Sequence, residues 1–100
     1  MTIVGDIAAK VRSKNAGPFW LTVDIFCGDA AAYGRLVSAL QTEAVASAFD
    51  VPPDTLKRFD IADLNVIKFS LPRPAIQGAA NDRDLHGASF AEILREIALP

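Results

Sequence analysis

The run Arg12-Ser13-Lys14-Asn15-Ala16-Gly17-Pro18-Phe19 gathers hydrogen-bond donors just ahead of an apolar segment. Arg12 and Lys14 bring positive charge, Ser13 and Asn15 bring polar hydrogens, and Gly17 lets backbone N–H groups come close to a ligand. Together these types suit a carboxylate or a phosphate, which is held by several donors and a nearby cation. The Gly-x-x-x-x-Gly-Lys-Ser/Thr spacing of a nucleotide-binding loop is absent. The same residues also make a solvated turn, with Gly17-Pro18 as its breaker.

A second group combines Pro72-Arg73-Pro74 with Asn81, Asp82, Arg83, Asp84, His86 and Gly87. His86 titrates near neutrality, so it can act as a general acid or base with Asp82 or Asp84 orienting its ring. A hydrogen-bonded loop histidine is the competing reading, and no residue is singled out as catalytic. Asp82, Asp84 and His86 offer three ligands at most on one side of an extended segment and no fourth elsewhere, so no metal is expected, nor any other cofactor. Cys27 is the single cysteine. It ends an apolar face, which fits packing, and as a nucleophile it would need His86 for its base. Phe19, Trp20 and Phe26 can stack a planar ligand, or equally line a core or an interface.

The elements that must position these residues follow from hydrophobic period. Trp20 to Cys27 alternates, with Leu21, Val23 and Ile25 on one face and Trp20, Thr22, Asp24 and Phe26 on the other, which predicts a strand. Asp29 can cap a helix from Asp29 to Leu40, in which Tyr33, Leu36, Val37 and Leu40 recur at helical spacing. Thr42 offers a second cap for a short helix over Thr42 to Phe49, stopped by Pro52-Pro53. Leu56 to Ile61 and Val66 to Leu71 read as antiparallel strands, and Pro72 to Gly87 as a long loop. From Gly87 onward the pattern predicts a helical turn near Ser89 to Glu92 passing into a last strand, Leu94 to Leu99, with helix throughout as the competing reading. The order is that of a ferredoxin-like α+β sandwich: a four-stranded antiparallel sheet with helices on one face and the other face open to a second subunit or a partner.

Composition bounds the function. One hundred residues make one domain, 1–100. The chain is 51% hydrophobic with a mean hydropathy of +0.25, which excludes disorder and predicts that apolar surface meets another subunit. A net charge of -2 offers no field for a polyphosphate backbone, so nucleic acid is not expected as a partner. No apolar run approaches the roughly 20 residues of a membrane span, and no secretion signal opens the chain, so a cytoplasmic location is expected.

The polar run Arg12 to Phe19, the later Pro72-Arg73-Pro74 and the Asp84-x-x-Gly87-Ala88 group resemble a small bacterial domain-of-unknown-function family, found as the partner of AtuA-like (acyclic terpene utilisation) proteins. The likeness spans nearly the whole chain. It is also similar to the ferredoxin-fold domain that ends AtuA itself, where a Leu-Thr-x-Glu-x-Val-Ala-like helix matches Leu40-Gln41-Thr42-Glu43-Ala44-Val45-Ala46. The sequence departs from the family at His86, where tyrosine is more frequent, and at Ser89-Phe90, where glutamines are. The resemblance implies a small subunit working with a larger AtuA-like subunit in bacterial catabolism of organic acids or acyl-CoA thioesters, in a lyase or hydratase step. Carried over residue by residue, Ser13 and Lys14 fall in the family's polar loop, and Arg73 and Asp84 in its second motif. With Asn15 and Gly17, these form the expected binding set for a small organic acid or acyl-CoA ligand. The alternative is a self-contained homo-oligomeric ligand-binding or regulatory module.

Overall fold

The computed structural model describes residues 2–17, 19–72 and 88–100 of the chain. The alternation over Trp20–Phe26 makes the strand predicted for it, β2, with Leu21, Val23 and Ile25 fully buried. Gly28, at φ +100, then turns the chain where a Cβ would meet the Ala9 Cβ at 3.1 Å. Asp29 caps the helix Ala30–Ala39 by accepting the Ala32 N–H at 2.7 Å, as its position predicts. A second helix spans Thr42–Phe49, with Gln41 rather than Thr42 at its N-cap. Asp50 ends it in the left-handed region, at φ 58.

The predicted antiparallel pair is present as Lys57–Ile61, β3, and Val66–Pro72, β4. Two elements differ from the sequence reading. Lys10–Asn15, read there as a polar loop from Arg12 onward, is a strand, β1, paired antiparallel with β2. The expected last strand over Leu94 to Leu99 is not formed; a helix, Ala88–Arg95, leads to an isolated bridge between Ala98 and Ile3. Helix is the form that buries Ala91 and Leu94 together, with Ile97 just beyond the helix end joining the same core. In chain order the four helices are α1 (Val4–Ile7), α2 (Ala30–Ala39), α3 (Thr42–Phe49) and α4 (Ala88–Arg95).

The sheet is four-stranded and antiparallel in the order β1-β2-β4-β3, so the α+β fold stands as the alternation implied. After the one-turn helix α1 the chain runs strand, strand, two helices, strand, strand, helix. Its two ends lie side by side, with Leu99 N–H donating to Thr2 C=O at 2.8 Å. Joining them and opening the β1–β2 turn would give strand, helices, strand, strand, helix, strand. That is the ferredoxin-like order, so β1 occupies the place expected of the last strand by circular permutation. The core lies between one sheet face and the helices, where Ile67, Phe69 and Leu71 of β4 join Leu36, Leu40, Val45 and Leu94. Phe49 and Phe90 meet edge to face at 5.1 Å within the helix layer.

Candidate functional site

Because strand partners share a face, the register defines what the sheet shows on the side away from the helices. Three rows run across it from β1 to β3: Lys14–Thr22–Ser70–Lys57, Arg12–Asp24–Lys68–Phe59, and Lys10–Phe26–Val66–Ile61. Trp20 and Pro72 pair at the end of the grid. Lys10, Arg12, Lys14, Lys57 and Lys68 therefore stand on one face with a single carboxylate, Asp24. The face nets +4 in a chain that nets -2, which leaves -6 for the remainder. Among the described residues the ion pair within 4 Å is Arg58–Asp60, on the other side of the sheet, and none of these five cations takes part in it.

Aromatic rings lie between the charges: Trp20, Phe26 and Phe59 are 41%, 38% and 48% exposed. Lys10 Nζ stands 5.8 Å from the Phe26 ring centroid and Lys57 Nζ 5.9 Å from that of Trp20. To reach Trp20 on β2 from β3, the Lys57 stem crosses β4. Beneath this layer Thr22 is 6% exposed although it sits on the open face. Its Oγ1 and the Oδ1 of Asp24 are buried without a hydrogen-bond partner. Such atoms cost about 1–3 kcal/mol each and are rare in finished protein interiors.

Strand alternation divides the residues singled out in the sequence. Lys14 is exposed on the open face, whereas Ser13 and Asn15 lie on the helix side, opposite Val23 and Leu21. Gly17 makes the β1–β2 turn with φ +85, open on every side, as its type predicts. Ser13 instead lines a shallow hollow of about 350 Å³ with Val11, Arg12 and Ala91, where β1 meets α4. Arg73 and Asp84 lie outside the described residues, as do Asp82 and His86; β4 ends at Pro72, opposite Trp20, at the same sheet end as the Gly17 turn. Cys27 is buried, its thiol directed at the Ile25 carbonyl at 3.9 Å. Burial, with the charge of Asp29 as a smaller cause, pushes this thiol above its ordinary range, which disfavours the thiolate a nucleophile needs. Sequence reasoning missed Lys57, Lys68, Thr22 and Ser70 as site residues, because only strand register brings them beside Lys14.

The profile of a family described as a domain of unknown function, DUF4387, matches residues 4–98. The chain belongs to the DUF4387 family. The match takes in every helix and strand described above, so the open face is part of the DUF4387 domain itself. No curated protein and no solved structure matches this DUF4387 chain. Among its described residues, no helix is long and apolar enough to cross a membrane.

Proposed function

We propose that this DUF4387 domain is a small cytoplasmic subunit whose open sheet face docks on a larger AtuA-like subunit, completing an acid-binding site in the catabolism of organic acids or acyl-CoA thioesters. The chemistry is a lyase or hydratase step performed by the assembly. The observation that supports this reading is the unfinished state of the face: five cations without an ion pair within 4 Å among the described residues, three half-exposed aromatic rings and two orphaned polar atoms on one sheet face. Aromatic rings with cations mark surfaces that partners cover, and unpaired buried polar atoms are satisfied when a partner arrives. A second copy is the poorer occupant, because stacking two such faces sets +4 against +4, and like-charge contact across an interface costs several kcal/mol. An acidic partner surface fits both the charge and the rings. Asp24 at the centre of the grid argues further against a nucleic-acid backbone.

Co-expression with a larger AtuA-like subunit tests the reading. A stable complex is expected, and the double charge reversal Arg12→Glu/Lys68→Glu should weaken it at least a hundredfold, since each cation that meets an acidic group contributes about 1.5–3 kcal/mol. Ser38→Glu, on the exposed side of α2, should leave it intact. A complex indifferent to the sheet charges would overturn the sheet face as the docking surface, and a chain that assembles only with itself would favour the self-contained module.

A further inference from the structure

Thr22 is more than nine-tenths buried on the face away from the helices, where Val66 is buried too, with its hydroxyl unused. Its row explains why that arrangement is worth keeping. Ser70 is its cross-strand neighbour and brings a second hydroxyl, while Lys14 and Lys57 close the row at either end. Four strands about 4.8 Å apart put the two lysine Cα atoms about 14 Å from each other, a span two extended lysine side chains can bridge from both sides. Lys57 already leans inward, over β4 to the Trp20 ring, in a cation–π contact weak enough to be exchanged for a charge-assisted hydrogen bond. In the neighbouring row Asp24 stands where this row has the Thr22 hydroxyl, so that row offers no hydroxyl pair between its cations.

We infer that the row Lys14–Thr22–Ser70–Lys57 is a seat for a carboxylate group, with the Thr22 and Ser70 hydroxyls donating to its oxygens and the two ammonium groups neutralising its charge. The inference rests on the proposal that this face is the working face, and names what it receives. The carboxylate has two sources, a free organic acid or an aspartate or glutamate of the docking subunit.

The probe is succinate, titrated at low ionic strength into the full chain and followed through backbone amide signals, with uncharged succinamide as the control. The amides of Thr22 and Ser70 are expected to shift together and saturate with succinate alone. Lys14→Gln and Lys57→Gln should each weaken binding about tenfold, the loss of one charge-assisted contact. Thr22→Val keeps the shape, removes the orphaned hydroxyl, and should raise the melting temperature by about 4–8 °C while weakening succinate binding. A Thr22→Val melt that falls while succinate binding is unchanged overturns the inference. So does an equal response to succinamide, or none in this row. In the assembled complex, retained succinate binding at the row assigns the seat to a free acid; succinate that competes with assembly assigns it to the partner's side chain. Assembly measured without any acid reads docking alone, so a chain that docks but ignores succinate refutes the seat and spares the docking surface.

Discussion

Arg58 and Arg12 are the same residue type in opposite employment. The Arg58 guanidinium donates to the Val37 carbonyl at 3.2 Å, the Leu40 carbonyl at 2.6 Å and the Thr42 hydroxyl at 3.3 Å, and its Nε to Asp60 at 2.9 Å. It thereby satisfies carbonyls left over at the end of α2 and ties that helix to α3 and β3, with its plane 5.8 Å from the Phe69 ring centroid. Arg12, exposed on β1, has none of this. Arg58→Met, which keeps the apolar stem and removes the donors, should lower stability by about 2–4 kcal/mol, measured by urea unfolding. A loss under about 0.5 kcal/mol would mean that water satisfies those carbonyls as well as the guanidinium does. Asp60, two residues on, is the only local partner of Arg58 among the described residues; its other partner atoms come from segments sixteen to twenty-one residues away.

At the scale of elements, β1 and α4 are where local pattern and structure part. β1 reads Lys-Val-Arg-Ser-Lys-Asn, with Val11 as its one apolar residue, because an edge strand with one face to solvent needs little apolar surface and gains from charge that deters stray pairing. That composition is also the composition of a loop. In the last segment Ile93, Leu94, Ile97 and Leu99 fit a short strand nearly as well as a helix, and only the packing of Ala91 and Leu94 against the core decides. β2, β4, α2 and α3 were legible because each has an apolar face or a cap of its own, as in Leu21-Val23-Ile25 and Asp29, and β3 through its turn to β4. The donors around Lys14 were legible as residue types, but the row they belong to depends on register across four strands. The permuted order carries a prediction. A chain with residues 100 and 2 joined by a short linker and new ends opened in the β1–β2 turn should fold to the same sheet, since the natural ends already bond at 2.8 Å. Matching amide spectra for β2 and β4 would bear this out; loss of cooperative unfolding would show that β1 must precede β2 in the chain.

For the whole molecule, the uneven placement of charge outweighs its sum. A net of -2 hides a sheet face at +4 and a remainder at -6, so the chain is strongly dipolar. On the proposed reading such a molecule associates face-first with an acidic surface, faster at low salt, and resists stacking its own sheet faces. The measurement that meets this account most directly is amide mapping of the isotopically labelled chain mixed with the larger AtuA-like subunit proposed as its partner. The account predicts that the strongest perturbations fall on Thr22 and Asp24 of β2 and Lys68 and Ser70 of β4, and that they fade with rising ionic strength. Perturbations confined to the exposed sides of α2 and α3, with the sheet residues unmoved, would contradict it.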